Sequence, residues 1–377
     1  MKRIILMIAG EDSGDLHGSA LIEKLKMIDP EIEIVGIGGE RMKAAGMTLY
    51  FHTKEMAFLG FAEVVKHIPF IHSVQNFLLQ KVRELNIKEV VLIDYPGFNL
   101  SIAKKLKKLN VKLVYYISPQ IWAWGKKRIK KIKELIDLMI VVFPFEKDIY
   151  ESEGINVKYV GHPLVERIED YQFLSRDELF QKLKLDASKD ILLLMPGSRE
   201  QEIKKIFPES IKAAYRLALD FNMQIVVACS QNIDKSLFSS LSGNIDYTLS
   251  KEYNYDLLKY AKFGIIKSGT STLEAGLFRL PFIVVYSTNY LTYLIGKSLI
   301  KLPGIALANI VLGEKVVEEL IQKDVNSQNI YDKVKTILSN TETYNEIKKK
   351  LGNIKIKLGE SGASKRAAEF IFRELTS

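Results

Sequence analysis

The chain has 377 residues, of which 47% are apolar, and it carries a formal net charge of +9. It is longer than a single hydrophobic core usually allows, and it is too apolar to be disordered throughout. Its one cysteine, Cys229, excludes an internal disulfide and a cysteine-based metal cluster, and it suits a reducing compartment. No uninterrupted apolar run reaches the ~20 residues of a membrane-spanning helix, so we expect a soluble or peripheral protein.

Short apolar runs alternate with helical patterns, which predicts βαβ units and parallel sheets. The N-terminal run is broken by Glu11 and Asp12, which indicates a buried first strand rather than a signal peptide. In the first half we expect strands at residues 3–9, 32–37, 89–93, 112–117, 138–142 and 157–160. In the second half we expect strands at residues 191–195, 224–228, 247–249, 263–266 and 282–285.

Gly and Pro interrupt this pattern near residues 161–164, where we place a domain boundary. The predicted fold class is α/β, with two Rossmann-like domains that face each other across a central cleft. The domains are residues 1–164 and 165–362, and a C-terminal helix at 363–377 could pack on either of them. Ligands of such sheets bind beyond the carboxyl ends of the strands, and the polar motifs of this chain follow predicted strands.

The first motif, Gly-Glu-Asp-Ser-Gly-Asp-Leu-His-Gly at residues 10–18, joins the first strand to a helix that we expect from Asp15. Its glycines could let the backbone approach a ligand. The alternative is a tight turn in which Ser13 or Asp15 caps the helix.

A second motif, Asp-Tyr-Pro-Gly-Phe-Asn at residues 94–99, follows the third predicted strand. Asp94 can accept a proton from a substrate hydroxyl. It could instead cap the next helix, although Asn99 fits that role better. His162, after the last strand of the first domain, is a candidate second base or part of a hinge.

Both tryptophans, Trp122 and Trp124, follow the fourth predicted strand in the segment Ser-Pro-Gln-Ile-Trp-Ala-Trp. Tryptophan rings stack on sugars or bases, and they also favour membrane interfaces. Equally, the two rings could fill the core beside the cleft.

In the second domain, Gly197, Ser198 and Arg199 follow a strand and can bind phosphate, although a surface arginine would look the same. The turn formed by Ser268, Gly269 and Thr270 opens a helix, which predicts a diphosphate site. Glu274 could accept ribose hydroxyls or could complement the helix dipole. No DxD-type carboxylate pair is suitably placed, so we expect no metal and no cofactor.

Residues 104–133 contain eleven Lys or Arg residues and no Asp or Glu. Such a run could meet an anionic membrane, phosphorylated substrates or nucleic acid, or could be a solvated surface. We expect no nucleic acid, because no zinc knuckle or aromatic-rich RNA-binding signature lies beside it. Residues 62–79 and 289–302 are amphipathic, which fits a membrane interface or ordinary core packing.

Together these motifs resemble the lipid-A-disaccharide synthases, a family of inverting glycosyltransferases with the GT-B architecture. The match covers nearly the whole chain and extends to residues 60–64, Pro144-Phe145-Glu146 and Asn309. Leu59 replaces a usual Met, which is a volume-conserving change. Ala308 replaces a common Pro, which loosens the loop carrying Asn309.

The resemblance implies transfer of 2,3-diacylglucosamine from UDP to 2,3-diacylglucosamine 1-phosphate (lipid X), giving a β-1,6-linked disaccharide and UDP. The family's catalytic aspartate matches Asp94 and its essential arginine matches Arg199. Residues that matter for activity match Glu11, Ser13 and Asn309, while the glutamate of the nucleotide-binding loop matches Glu274. We expect Asn309 to belong to the UDP site with the two turns of the second domain.

An acylated substrate must be drawn from a bilayer, so the resemblance also implies a cytoplasmic protein on the inner face of the inner membrane, bound to its anionic surface. The family can form homodimers. We expect membrane or acyl contacts from seven apolar residues: Val64, Val65, Ile68, Phe70, Ile71, Phe77 and Leu78.

Three alternatives stay open from the sequence. One is another enzyme of the same architecture, such as a peptidoglycan glycosyltransferase or a UDP-sugar epimerase. Another is a non-catalytic protein that binds nucleotide sugars. The third is nucleic-acid binding through residues 104–133, which would weaken steeply with salt.

Overall fold

The computed structural model describes residues 3–56, 67–119, 127–287 and 304–376. The chain divides into two compact units. We call Met1–Glu166 together with Glu360–Ser377 the N-unit, and Arg167–Gly359 the C-unit. The division lies two residues beyond the boundary proposed at residue 164.

The described residues form one parallel sheet in each unit. The N-unit sheet has the order β3-β2-β1-β4-β5-β6-β7, and the C-unit sheet has the order β10-β9-β8-β11-β12-β13. The strands are β1 (Ile4–Ala9), β2 (Glu33–Gly38), β3 (Thr48–His52), β4 (Glu89–Ile93), β5 (Lys112–Tyr116), β6 (Leu138–Val141), β7 (Val157–Tyr159), β8 (Asp190–Met195), β9 (Met223–Ala228), β10 (Thr248–Ser250), β11 (Ala261–Lys267), β12 (Phe282–Tyr286) and β13 (Glu319–Ile321).

Helices connect the strands, as parallel pairing requires. They are α1 (Asp12–Ile28), α2 (Glu40–Ala44), α3 (Thr53–Met56), α4 (Ile68–Glu84), α5 (Pro96–Leu106), α6 (Lys127–Leu135), α7 (Pro144–Ser152), α8 (Pro163–Glu169), α9 (Arg176–Leu183), α10 (Glu200–Asp220), α11 (Lys235–Ser242), α12 (Asn254–Tyr260), α13 (Thr270–Leu277), α14 (Leu307–Leu312), α15 (Ser327–Leu338), α16 (Thr341–Leu351), α17 (Asn353–Leu358) and α18 (Ala363–Thr376).

The central strands are nearly continuous apolar runs because both faces of each sheet are covered. All five residues of β4 are buried, as are four of the six residues of β8. The sequence did not predict β3 or β13. Each lies at one edge of its sheet, where little apolar burial is needed and the pattern is weak.

The helix α18 belongs to the N-unit and packs on α1. The guanidinium of Arg3 lies 5.0 Å from the centre of the Phe372 ring. Lys112 Nζ donates to the main-chain oxygen of Glu374 at 2.7 Å, and Arg366 Nε donates to the Val160 oxygen at 2.8 Å. The N-unit is therefore built from two separate stretches of the chain.

Part of the predicted membrane surface lies on α4, and the structure shows that some of these residues belong to the core of the N-unit. Leu78 is fully buried in the N-unit core, so its assignment to a membrane contact is wrong. Phe70, Ile71 and Phe77 are half-buried and pack against the same core. Ile68 is 43% exposed.

The reason for this correction is that α4 covers the sheet. The Phe77 ring makes an edge contact with Phe51 of β3 at 5.3 Å, so the apolar face of α4 is used inside the unit. Val64, Val65 and residues 289–302 lie outside the described residues. Among the described residues, no helix combines the length and apolar character needed to cross a bilayer.

Candidate functional site

The carboxyl ends of β1, β4 and β5 lie side by side in the N-unit sheet. Three residues that follow these strands have left-handed backbone conformations: Asp94 and Tyr95 with φ of 45°, and Ile117 with φ of 62°. A β-branched residue such as Ile is rarely found there. Strain of this kind clusters at functional sites, so this edge is the candidate site of the N-unit.

Asp94 is held through its main chain. Its main-chain oxygen accepts hydrogen bonds from Tyr115 Oη at 2.5 Å and from Asn99 Nδ2 at 2.7 Å. The prediction that Asn99 caps a helix is wrong, because α5 begins at Pro96 and Asn99 lies inside it. The two bonds fix the backbone from which the Asp94 carboxylate projects.

The Asp94 carboxyl group is an unusually weak acid. Burial raises the pKa of Asp94 to about 6, and the negative charge of Glu11 acts in the same direction. Burial and Glu11 also raise the pKa of Tyr95. The fold therefore brings together two of the predicted residues, Glu11 and Asp94, while Ser13 is exposed in the first turn of α1.

The glycines of residues 10–18 make room for internal packing. A Cβ atom on Gly10 would lie 2.1 Å from Cδ1 of the Tyr95 ring. Tyr95 Oη donates to the Met56 oxygen at 2.8 Å, which holds that ring in place. A Cβ atom on Gly18 would similarly lie 2.6 Å from Met42 Sδ. These two glycines make room for neighbouring side chains, and the predicted approach of a ligand to this backbone stays a prediction.

Neither Ser13 nor Asp15 caps α1, which begins at Asp12 after Glu11. The buried carboxylate of Asp15 instead accepts hydrogen bonds from the amides that open α2. These are Gly39 N at 2.6 Å, Met42 N at 3.0 Å and Arg41 N at 3.1 Å. Asp15 thus ties the loop after β1 to the loop after β2.

The segment after β5 is anchored by Glu146 of α7. Ser118 Oγ donates to Glu146 Oε1 at 2.8 Å, and Phe143 N donates to Glu146 Oε2 at 3.3 Å. Trp122 and Trp124 lie outside the described residues, so their predicted contacts stay predictions.

His162 has a structural contact at the start of α8. Its buried ring accepts a hydrogen bond at Nδ1 from Leu164 N, at 3.1 Å. The ring also lies 5.0 Å from the Phe143 ring, centre to centre. These contacts explain why a histidine follows Gly161 without assigning it a proton-transfer role.

In the C-unit, the segments after the neighbouring strands β8 and β11 carry a charged cluster. Arg199 precedes α10, and its Nη1 lies 3.5 Å from Glu202 Oε1. Lys267 Nζ lies 2.9 Å from the same oxygen. Glu202 and Lys267 lie in the predicted motifs but were given no role, although a Glu three residues after Arg199 has the spacing of a helical ion pair.

Gly197 makes room for this cluster. Its φ of 127° is poorly tolerated by other residues, and a Cβ atom there would lie 2.7 Å from Glu202 Oε2. Ser198 is exposed beside it. Among the described residues, no three His, Cys, Asp or Glu side chains are placed to hold a metal ion.

In the turn that opens α13, one of the residues predicted to bind the diphosphate makes a hydrogen bond within the protein instead. Ser268 Oγ donates to the Ile305 oxygen at 3.0 Å, so the proton of this hydroxyl is already engaged. Gly269 is the N-cap residue of α13 and Thr270 its first residue. The amides and the Thr270 hydroxyl at this helix start are the groups left for an anion.

Glu274 is a half-buried carboxylate with a cationic neighbour. Burial raises the pKa of Glu274, and the positive charge of Arg167 opposes that effect. Arg167 Nη2 lies 3.0 Å from Glu274 Oε1, and Tyr255 Oη donates to the same oxygen at 3.5 Å. Glu274 is therefore fixed in orientation before any ligand arrives.

Asn309 does not offer its amide to a ligand, which corrects its assignment to the UDP site. It is fully buried. Its Nδ2 donates to Glu319 Oε1 at 2.9 Å and to the Val317 oxygen at 3.0 Å. Its Oδ1 accepts from Val316 N at 2.8 Å and Val317 N at 3.0 Å.

Asn309 acts on the α13 turn indirectly. The carboxylate that it contacts, Glu319, also accepts hydrogen bonds from Ile305 N and Ala306 N. The oxygen of Ile305 in turn accepts the Ser268 hydroxyl. Asn309 and Glu319 thereby position the loop against which the predicted diphosphate turn rests.

Replacing Asn309 with Ala is expected to lower the free energy of unfolding by about 2–5 kcal/mol, because it strands buried amides and a carboxylate. Urea denaturation of the ligand-free chain measures this. The exposed Asn353, at the start of α17, is the control, and Asn353→Ala should cost less than about 0.5 kcal/mol. Unchanged stability combined with lost UDP binding would instead indicate direct contact between Asn309 and ligand.

Comparisons with known proteins identify the family to which this chain belongs. The chain matches the family model described as lipid-A-disaccharide synthetase over residues 5–374. A lipid-A-disaccharide synthase of Geobacter sulfurreducens is 37% identical over 374 residues, which cover 98% of this chain and 97% of that protein.

Solved structures share the fold at low sequence identity. The S. aureus MnaA–UDP co-structure gives a TM-score of 0.68 at 14% identity, covering 100% of this chain and 97% of that one. The calicheamicin glycosyltransferase CalG4 gives 0.62 at 14% identity, covering 100% and 98%. The predicted α/β class with two parallel sheets is confirmed, while the central cleft stays a prediction.

Proposed function

We propose, because the chain belongs to the lipid-A-disaccharide synthase family, that it transfers 2,3-diacylglucosamine from UDP to the 6-hydroxyl of lipid X. It is a hexosyltransferase of lipid A disaccharide synthesis. The match over residues 5–374 carries this conclusion, since it spans both units.

Asp94 is the proposed general base for the acceptor. It takes the proton of the 6-hydroxyl while the oxygen bonds to the anomeric carbon and the bond from that carbon to UDP breaks, with inversion. The support is its placement at a strained strand end beside Glu11, with a pKa of about 6. A base of this pKa is ionised at neutral pH and is a better proton acceptor than an ordinary aspartate.

The C-unit is the proposed donor unit. Arg199 and the amides at the start of α13 are suited to the diphosphate, because an exposed guanidinium and a helix N-terminus both favour anions. Gly197 and Ser198 add main-chain amides beside Arg199. Glu274, oriented by Arg167, is the proposed ribose ligand.

The test is incubation of the protein with UDP-2,3-diacylglucosamine and lipid X, followed by mass spectrometry of the lipid product and measurement of UDP. We expect one disaccharide 1-phosphate for each UDP released. A UDP-sugar epimerase would convert the donor without net release of UDP. A binding protein without catalysis would leave both lipids unchanged.

Membrane docking is proposed for the basic surface of α6. Ile129 and Ile132 are buried in the N-unit, whereas Lys130, Lys131 and Lys133 on the same helix are exposed. Basic side chains near an anionic leaflet contribute about 1 kcal/mol each to binding. This surface supports the proposal that the protein binds peripherally to the cytoplasmic face of the inner membrane, and its homodimerisation stays a prediction.

Replacing Lys130 and Lys131 together with Gln is expected to weaken binding to vesicles containing phosphatidylglycerol by roughly 30-fold, or about 2 kcal/mol. Co-sedimentation measures the effect. Lys348 and Lys349, two adjacent exposed lysines on α16 of the C-unit, form the matched control pair. Equal losses for both pairs would contradict a docking surface on α6.

A further inference from the structure

We infer that Lys267 binds the diphosphate of the donor, and that Glu202 is the positioning residue that holds its ammonium group at the start of α13. The inference rests on the proposed function, in which the C-unit holds a UDP-sugar. It adds a ligand, Lys267, to the site and gives Glu202 a role.

Lys267 lies next to the turn that opens α13, where the diphosphate is proposed to bind. It is the final residue of β11 and directly precedes Ser268. Its Nζ lies 3.8 Å from the position that a Cβ atom on Gly269 would take, and Gly269 is the N-cap residue of α13. The ammonium group therefore lies beside the amides that begin this helix.

The largely buried position of Lys267 requires a negative charge close to its ammonium group. Its side chain is only 17% exposed, and a cation at such a site needs a close counter-charge. Glu202, which is 15% exposed, supplies one at 2.9 Å. Glu202 Oε1 also faces Arg199 at 3.5 Å, so one carboxylate serves two cations.

The cluster thus carries an excess of one positive charge. The excess lies at the N-terminal ends of α10 and α13, where the helix dipoles add further positive potential. Glu202 already neutralises the largely buried ammonium of Lys267, so the charge of Arg199, whose side chain is 56% exposed, remains to attract an anion. A diphosphate would balance this excess positive charge. It would be bound by Arg199, by Lys267 and by the amides at the start of α13.

Glu202 positions Lys267 rather than contacting the donor itself, because a carboxylate repels a diphosphate. Its Oε1 holds the ammonium on the β8 side of the turn, and Gly197 leaves space for its Oε2. Without this carboxylate, Arg199 and Lys267 would repel each other, and the ammonium would leave the start of α13.

The experiment is calorimetric titration of the full chain with UDP and with uridine. Lys267→Met is expected to weaken UDP binding by roughly 10–100-fold, the loss of one charge-assisted hydrogen bond, and to leave uridine binding unchanged. Lys267→Arg should recover most of the loss. Lys262→Met is the matched control, since Lys262 lies at the opposite end of β11, is 48% exposed and faces Asp190.

Glu202 is tested by its coupling to Lys267. Glu202→Gln should weaken UDP binding in the wild-type background and have little effect when Lys267 is already Met, which a double-mutant cycle measures. Additive losses would overturn the positioning role. A general structural role predicts equal losses for UDP and uridine.

The outcomes separate this inference from the proposed function. Wild-type affinity for UDP in the Lys267→Met protein overturns the inference alone, as does an equal loss for uridine. Failure of the wild-type protein to bind UDP overturns the assignment of the donor to the C-unit, and the inference with it.

Discussion

Replacing Asp94 with Asn is expected to lower kcat for disaccharide formation by about 10²–10⁴-fold, the usual contribution of a positioned general base. Asn has nearly the same size and tolerates the left-handed backbone found at this position. Affinity for UDP should stay unchanged, because the proposed UDP ligands lie in the C-unit. Asp148→Asn, at an exposed site on α7, is the control for loss of a carboxylate.

Measuring the thermal stability of Asp94→Asn distinguishes a loss of catalysis from misfolding. Because the pKa of Asp94 is raised from 3.8 to about 6 in the folded protein, its ionisation opposes folding above about pH 6. That cost fades as the pH falls from about 6 toward 4. Asp94→Asn should therefore melt at a higher temperature than wild type at pH 7.5, and the difference should shrink near pH 4.

The pH dependence of wild-type activity should also reflect the ionisation of Asp94. The base is lost when it is protonated, so kcat is expected to fall as the pH drops through about 6. An Asp94→Asn enzyme that retains wild-type turnover, or melts lower at every pH, would contradict this account of Asp94.

Gly10→Ala is expected to lower kcat by roughly 10–100-fold, because small displacements of reacting groups are costly. The added Cβ atom would lie 2.1 Å from Cδ1 of Tyr95, so the ring must move. Tyr95 directly follows Asp94, and its movement displaces the proposed base. The overpacking should also lower the free energy of unfolding by about 1–3 kcal/mol, measured by denaturation in urea.

Gly97 gives a control in the same region. A Cβ atom on Gly97 meets no other atom within 4 Å, so Gly97→Ala should change stability by less than about 1 kcal/mol. Combining Gly10→Ala with Tyr95→Ala tests the cause. If the clash with Tyr95 is responsible, Gly10→Ala adds little further loss in the Tyr95→Ala background.

The sequence predicted the parts of this molecule that depend on local patterns. Buried parallel strands such as β4 and β8 are apolar runs, and their ends place Asp94 and Arg199 at sheet edges. Helix starts were less well predicted. Asn99 and Asp15 were expected to cap helices, but their side chains form hydrogen bonds with other parts of the chain.

Contacts between distant segments could not be read from these patterns. Glu202 and Lys267 meet only because β8 and β11 are neighbours in the sheet. From the sequence, Asn309 was predicted to bind UDP from a loop. In the structure its side chain is buried and forms hydrogen bonds with residues on β13 and just before it. Leu78 fits a membrane face and a core face equally well until the position of the sheet is known.

The place of α18 on α1 also sets an order of assembly during synthesis. The C-unit, residues Arg167–Gly359, is translated between the two stretches that form the N-unit. At about 5–20 residues per second, its 193 residues delay the arrival of α18 by roughly 10–40 s. During that interval the ribosome holds an N-unit with part of α1 uncovered, while the C-unit has all the residues it needs to fold. The nascent chain therefore finishes its second unit before its first.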